Sequence, residues 1–227
     1  MKNLIVASAF TFLSIGAFAQ TNKMSGNDAR FGVKAGVNLS SLKYSGENAG
    51  QLDQYSKNIV GFNVTAYGDF GVANNFFIQP GISLQNKGGK IEGNIFGGTG
   101  KIEQNVMAIE VPVNAVLRIP TGDVGAFQIS AGPYAAFNIS GKYKNSVTGS
   151  SSTISGDRDM NFGSKNSDDM SSMDFGANFG LGYRIASGFS IGANYGLGLS
   201  NLIPSNQKSN DNKVSNRVLG FTVGYSF

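Results

Sequence analysis

The side chains in this chain that could do chemistry are charged residues placed inside segments where apolar residues recur at every second position. Residues spaced in this way share one face of a β-strand. Lysine, arginine and carboxylate side chains that meet on such a face can form ion pairs or guide an ion along it. The candidates for this charge network are Lys34, Asp69, Glu110, Arg118, Asp174 and Arg184.

Other chemistry is limited by what the chain lacks. It has no histidine and no cysteine, which excludes a histidine general base, a cysteine nucleophile and a zinc site built on either residue. The segment FGGTGK at 96–101 lacks the first glycine and the final serine or threonine of a phosphate-binding loop. The aspartates of one polar segment lack the spacing of a calcium loop: Asp157, Asp159, Asp168 and Asp169. We therefore expect no enzyme activity, no cofactor and no metal site.

The first residues predict export from the cytoplasm. Lys2 precedes an apolar run over residues 4–18, and the small residues Ala17 and Ala19 stand just before Gln20. This pattern is typical of a signal peptide that is cleaved before Gln20 after Sec-type export. The net charge of +4 is too small and too dispersed to favour nucleic acid as a partner.

Eight later segments alternate apolar residues with glycine or polar residues. In the first segment, Phe31, Val33 and Val37 alternate with Gly32 and Lys34, a period of two that predicts a strand and not a helix. The predicted strands lie near residues 31–41, 60–70, 78–85, 107–119, 127–140, 175–185, 189–199 and 219–227.

The links between these predicted strands alternate between long and short. Long polar links lie near 42–57, 87–103, 143–172 and 201–216, and tight turns lie near 71–75, 120–125 and 186–188. Tight turns at one end and long loops at the other are typical of outer-membrane barrels, and the strands are long enough to cross a bilayer. The sequence therefore predicts an all-β fold, an eight-stranded antiparallel up-and-down transmembrane β-barrel.

A soluble barrel such as a lipocalin is the structural alternative. One face of each predicted strand is apolar and aromatic, and an eight-stranded barrel has too little space inside to hold so many rings. We therefore expect the apolar face to contact lipid. The predicted organisation is a signal peptide at 1–19, a short periplasmic segment at 20–30 and the barrel at 31–227.

The phrase GANFGLG at 176–182 recurs as GANYGLG at 192–198. Glycine at every second position predicts a hairpin whose lumen face leaves little room for side chains. On this hypothesis, Gly180→Leu or Gly196→Leu impairs folding of the barrel.

The candidate charges fall at different heights in the predicted barrel. Lys34 begins the first strand and Asp69 ends the second, so both lie at the tight-turn end and should touch across the strands. The others are predicted as Arg118 and Arg184 at the same level, Glu110 higher, and Asp174 near the long loops. Two interpretations are open: the charges seal the lumen by neutralising one another, which a narrow bore favours, or they form a selective ion pathway.

Two further groups of side chains have predicted places near the strand ends and loops. Aromatic residues near strand ends are expected at the membrane interfaces: Phe31, Tyr143, Phe189 and Phe227. The methionines Met160, Met170 and Met173 are expected to pack within loops or at the rim.

Several segments resemble the PorT-like outer-membrane β-barrel family, in the same order and with similar spacing. They are FGVKAGVNLSSL at 31–42, AIEVPVNAVLRI at 108–119, AGPYAAFNISGK at 131–142, DFGANFGLGYRI at 174–185 and the ending GFTVGYSF. The resemblance implies an eight-stranded barrel in a gram-negative outer membrane. The last strand also resembles a barrel-assembly signal, carried by Phe221, Val223, Tyr225 and Phe227.

The expected function follows from this placement. We expect a non-enzymatic barrel with an envelope structural or surface-interaction role through its long extracellular loops. The alternative, which rests on the family resemblance, is a component of an outer-membrane secretion complex of the type IX kind or of an envelope-biogenesis complex. The expected partners are outer-membrane lipids, the barrel-assembly machinery, and envelope or secretion proteins.

Overall fold

The computed structural model describes residues 29–47, 49–95, 98–148, 153–208 and 211–227. The predicted signal peptide, its cleavage residues Ala17, Ala19 and Gln20, and most of the 20–30 segment lie outside the described residues. The strands are β1 (Arg30–Ser45), β2 (Ser56–Lys57), β3 (Ile59–Ala73), β4 (Phe76–Ile95), β5 (Gly98–Pro120), β6 (Gly125–Thr148), β7 (Thr153–Asp159), β8 (Met173–Ile185), β9 (Phe189–Gly198) and β10 (Lys213–Ser226). Short 3₁₀ helices occupy Ala49–Tyr55 and Ser205–Gln207.

Eight of the strands in the described part of the chain close into an antiparallel ring in the order β1, β3, β4, β5, β6, β8, β9, β10. The ring closes where β10 pairs with β1, from Gly32↔Ser226 to Ser45↔Lys213. The other two strands lengthen the sheet at one end, where β2 pairs with β4 and β7 pairs with β6. The predicted eight-stranded up-and-down barrel is confirmed. Among the described residues, no helix is long and apolar enough to cross a membrane.

The outer face of the ring is apolar, as the period-two pattern predicts. Val60, Leu181 and Ile191 are exposed on three different strands, and the lumen-facing Asn38 and Asn63 are buried. Exposed apolar side chains over the whole outer wall are suited to lipid and not to water. The hydrophobic effect that drives a soluble core therefore does not hold the lumen together, which depends on hydrogen bonds and ion pairs.

The two ends of the barrel differ in their connections. The short-turn end carries the β3–β4, β5–β6 and β8–β9 turns, and the long-loop end carries the remaining connections. At the short-turn end, aromatic rings meet edge to face outside the wall, with centroids 4.9 Å apart for Phe189 and Tyr225 and 5.2 Å apart for Tyr225 and Phe227. Phe31 packs in the same manner on Phe70. These rings have the placement of an interfacial aromatic belt.

Two predicted loops are largely strand. β4 and β5 stay paired to Ile95↔Gly98, so most of the region 87–103 is a hairpin, and β7 pairs with β6 within the region 143–172. The prediction failed there because glycine and polar residues dominate both extensions, which weakens the alternation that marks a strand. The backbone hydrogen bonds nevertheless continue beyond the apolar band.

Above the lumen, the long-loop end has its own hydrophobic core, called here the apolar cap. The cap is formed by the buried side chains of Leu42, Tyr44, Val106, Met160, Met170 and Leu202. The structure supports the expectation that Met160 and Met170 pack within a loop. Tyr143, expected at a membrane interface, instead packs against the cap. The prediction for Tyr143 was wrong because β6 continues past the apolar band and turns this ring inward.

Glycines on the lumen face differ in how closely neighbouring atoms surround them. A Cβ on Gly176 would lie 2.3 Å from the carbonyl oxygen of Leu197 and 2.5 Å from the ring of Tyr134. A Cβ on Gly180 would meet only the Ser130 hydroxyl closely, and that side chain can rotate.

We expect Gly176→Ala to lower the free energy of unfolding by about 1–3 kcal/mol, because backbone must move to admit the methyl group. Gly180→Ala is the matched control and should cost less than about 1 kcal/mol. Urea unfolding of the two variants refolded into detergent micelles measures the difference. An equal loss of unfolding free energy in the two variants would contradict the prediction that Gly176 is the more crowded position. The predicted effects of Gly180→Leu and Gly196→Leu stay predictions.

Candidate functional site

The lumen contains four charged side chains and one amide near the short-turn end, called here the short-turn cluster: Lys34, Asp69, Gln79, Arg118 and Arg184. Asp69 is fully buried and forms an ion pair with Arg118. Gln79 donates to Asp69 at 3.4 Å and accepts a hydrogen bond of 2.7 Å from the Lys34 ammonium. Arg118 also stacks on the ring of Phe77, 3.9 Å from its centroid. This cluster fills the lumen close to its mouth.

The predicted direct contact between Lys34 and Asp69 was wrong. The register of β1 on β3 places Arg30 opposite Asp69 and Lys34 opposite Thr65. Both side chains do face the lumen, and Gln79 on β4 bridges them. The error arose because strand stagger around a closed ring cannot be read from the position of a residue within its own strand.

A second group of charges lies deeper toward the long-loop end, called here the long-loop cluster: Lys87, Glu110 and Asp174. The Lys87 ammonium lies 2.9 Å from Asp174 and 3.6 Å from Glu110. All three side chains are buried, and the Lys87 side chain is only 2% exposed. In the register, Glu110 and Asp174 both stand opposite Ala136, whose small side chain leaves the space that Lys87 fills.

The remaining oxygen atoms of the long-loop cluster have hydrogen-bond donors. Asn216 and Ser200 donate to Asp174, each at 2.8 Å, and Tyr134 donates at 3.3 Å. Asn178 donates to Glu110 at 3.1 Å. Buried ions persist only with such partners. The cluster therefore has a structural role, because it links β4, β5 and β8 across the lumen.

Lys87 is the member of this cluster that sequence reasoning missed. It falls in the region 87–103, for which the sequence predicts a long polar loop, and so it is not among the predicted lumen charges. One available signal is the alternation of Gln79, Ser83, Gln85 and Lys87 on the polar face of the same strand. Following that period past residue 85 places Lys87 in the lumen.

Between the two clusters lies a cavity of about 110 Å³ lined mainly by small polar side chains and glycine. Ser83, Asn114, Ser130 and Asn178 are among its walls. Nearby, Asn63 donates to Asn38 at 2.7 Å, and Asn38 donates to Gln85 at 2.9 Å. A polar cavity of this size has room for several water molecules. The cavity is therefore a polar space between the short-turn cluster and the long-loop cluster.

The buried carboxylates of the lumen are engaged in ion pairs with lysine or arginine. Within the described ranges, no three acidic residues lie together in a way that could hold a metal ion. The aspartates of the long polar segment are used locally, since Asp169 pairs with Arg158 and Asp168 accepts the backbone N–H of Lys165. The geometry instead closes the lumen, with charges at two levels and the apolar cap above them.

The residues of the predicted assembly signal lie on β10, the strand that closes the ring on β1. Phe221, Val223 and Phe227 expose their side chains on the outer wall. Tyr225 packs between Phe189 and Phe227 at the short-turn end. Their role in assembly stays a prediction.

Outside the lumen, Arg158 and Asp169 form a bidentate ion pair that ties β7 to the loop leading to β8. The two hydrogen bonds are 2.8 Å and 2.5 Å long. Arg158 holds the pKa of Asp169 below its ordinary value of 3.8.

This pair predicts acid-dependent opening of the loop at 160–172. A carboxylate with a depressed pKa stabilises the folded form above its unfolded pKa, and the stabilisation is lost as pH falls through the folded pKa. The protection of amide hydrogens in this loop, measured relative to the intrinsic exchange rate at each pH, should therefore fall below about pH 4. Asp169→Asn should exchange fast at pH 6 and show little further change in acid, whereas Asp157→Asn should behave like the parent. An Asp169→Asn variant that keeps the acid response would contradict the assignment.

Comparison with known proteins gives a family-level match. The family model described as outer membrane protein beta-barrel domain matches residues 18–204. No curated protein sequence is detectably similar to this chain.

Several solved structures resemble the fold at low sequence identity. Ail, the attachment invasion locus protein of Yersinia pestis, is 18% identical, with 88% of this chain and 99% of that chain covered and a TM-score of 0.42. Neisserial surface protein A is 12% identical over 88% and 99% of the two chains, with a TM-score of 0.41. The N-terminal beta-barrel domain of Pseudomonas aeruginosa OprF is 12% identical over 88% and 100%, with a TM-score of 0.34.

Proposed function

Because this chain belongs to the outer membrane protein beta-barrel domain family, we propose that its sealed barrel serves as an anchor and that its long-loop end makes the functional contacts. The chain is an outer-membrane β-barrel protein of the gram-negative type. In such barrels, short turns face the periplasm and long loops face the outside of the cell. The function is envelope-structural or surface-interacting, and it is non-enzymatic.

The apolar cap is the observation that carries this proposal. It joins β1 and β5 to residues of two separate loops, through Leu42, Val106, Met160 and Leu202. Loops that only connect strands need no buried core, whereas a core holds them in one conformation. A rigid scaffold that presents loops in a fixed arrangement is the usual basis of a binding surface.

The outer face of this folded end carries charges of alternating sign. Lys90, Glu103, Lys144 and Asp157 stand directly opposite one another on β4, β5, β6 and β7. Residues opposite one another across strands share a face, so these four form a row across the sheet. Such a surface suits a polar or charged partner and not an apolar one.

Closure of the lumen has its own test. Liposomes that contain the purified barrel should show no swelling in small sugars or amino acids, because two charge clusters and the apolar cap obstruct the bore. Solute flux equal to that of an open porin would refute the sealed-anchor part of the proposal.

The surface part of the proposal is tested by trimming the β6–β7 hairpin. Residues 144–157 are replaced by a two-residue turn, which keeps Tyr143, Arg158 and the apolar cap. In a matched control, residues 71–75 at the short-turn end are also replaced by a two-residue turn. Affinity capture from intact envelopes should lose its partners with the trimmed hairpin and keep them with the control.

The same experiment addresses the alternative role in secretion or envelope biogenesis, which rests on the resemblance to PorT-like barrels. Secretion components that still co-purify after trimming would favour that alternative. Partners lost on trimming support the surface-interaction role.

A further inference from the structure

The short-turn cluster has more positive than negative charge. Lys34, Arg118 and Arg184 face the lumen at this level, and among the described residues at this level Asp69 is the one buried carboxylate. Arg118 and Gln79 already occupy both oxygens of Asp69. Buried positive charge without a counter-charge is strongly unfavourable. The described residues at this level therefore lack negative charge to balance the three cations.

Arg184 is the group left without a protein partner. It is 8% exposed, and its Nε is buried with no hydrogen-bond acceptor among the described residues. The Nε of Arg118 is likewise buried and unpaired. Of the other negative groups that the structure describes at this end, neither Asp123 nor the terminal carboxylate of Phe227 forms an ion pair.

The polar cavity borders this level of the lumen, and Arg118 and Arg184 lie beyond its walls. The polar cavity extends to Lys34, Tyr67, Gln79 and Gln128. Gln128 stands opposite Arg118 in the sheet. A small ion at the mouth would therefore find donors on several strands.

We propose that the short-turn end holds a small inorganic anion, bound by the unpaired guanidinium nitrogens of Arg184 and Arg118. Guanidinium groups donate strong, directional hydrogen bonds to oxyanions and halides. The anion supplies the charge that Asp69 does not, and it closes the barrel mouth on the periplasmic side. The long-loop cluster has the opposite imbalance, with Lys87 between two carboxylates, so it offers no second anion site.

The test measures thermal unfolding of the purified full barrel in a nonionic detergent. Sodium phosphate or sodium chloride is titrated against sodium gluconate at constant ionic strength, with gluconate as the bulky reference anion. A ligand bound only by the folded state raises Tm with the logarithm of its concentration. We expect such a rise with phosphate, with chloride, or with both, and the comparison shows whether an oxyanion or a halide is preferred.

Arg184→Gln should weaken the apparent affinity about tenfold, the effect of losing one charge-assisted hydrogen bond. Lys144→Gln is the matched control, since it also removes one positive charge but from the outer face, and it should respond like the parent. Asp69→Asn should show a larger response, because it leaves more positive charge uncompensated. If Arg184→Gln does not fold, Arg184→Lys should fold and show a weakened response.

A bromide-soaked crystal provides a direct readout, with an anomalous peak expected within hydrogen-bond distance of Arg184 Nε. Equal responses of the parent and Arg184→Gln would overturn the proposal, as would the absence of any response in the parent, which would assign the space to water. These measurements use the isolated barrel, so they stand or fall independently of the surface contacts.

Discussion

Replacing Lys87 by methionine is expected to lower the free energy of unfolding of the barrel by about 3–5 kcal/mol. Methionine has nearly the same length and fills the same space, so packing changes little. The loss comes from charge, because Asp174 and Glu110 are then buried together without a cation. Urea unfolding of the protein refolded into detergent micelles measures this change in unfolding free energy.

The control for this prediction lies on the same strand. Lys90→Met removes an equivalent charge that pairs with Glu92 at the surface, where an ion pair contributes about 0–1 kcal/mol. The double variant Lys87→Met with Asp174→Asn should recover part of the loss, because it also removes one unpaired carboxylate. A Lys87→Met variant as stable as Lys90→Met would show that the long-loop cluster contributes little.

Asp69→Asn is expected to have an effect of similar size, about 3–5 kcal/mol, at the opposite end of the lumen. The amide keeps the shape of the side chain but leaves Arg118, Lys34 and Arg184 without a carboxylate. The same unfolding measurement in low salt tests it, with Asp157→Asn as the control at an exposed ion pair with Lys142.

A double variant separates the two possible causes of the loss of stability in Asp69→Asn. Combining Asp69→Asn with Arg118→Gln should restore stability in part, since the pair is then removed together. A double variant no better than Asp69→Asn would place the loss in hydrogen bonding through Gln79 and not in the ion pair.

Much of the fold could be predicted because the alternation of side chains is a local property. Phe31, Val33 and Val37 alternate with Gly32 and Lys34 whatever the neighbouring strand is. The outward direction of the apolar residues then followed from the size of an eight-stranded lumen. The prediction failed where glycine and polar residues dominate a strand, as in the β4–β5 hairpin, because the alternation there is too weak to mark a strand.

The candidate site was predicted in composition but not in pairing. The sequence placed Asp69 and Arg118 at one level of the lumen, and they form an ion pair. It paired Lys34 with Asp69 directly, whereas the structure inserts Gln79 between them. Residue type and strand phase identify which side chains enter the lumen, but the stagger of the strands decides which of them meet.

The sequence by itself determined an all-β chain with an apolar outer wall and a polar, glycine-rich lumen, because these depend on residue type and a period of two. Only the tertiary structure decided that Lys87 neutralises Asp174 from 87 residues away, that Arg184 has no partner among the described residues, and that the long-loop end folds around an apolar cap. These features depend on ring closure, which brings distant strands to a common height by a stagger that no single segment encodes.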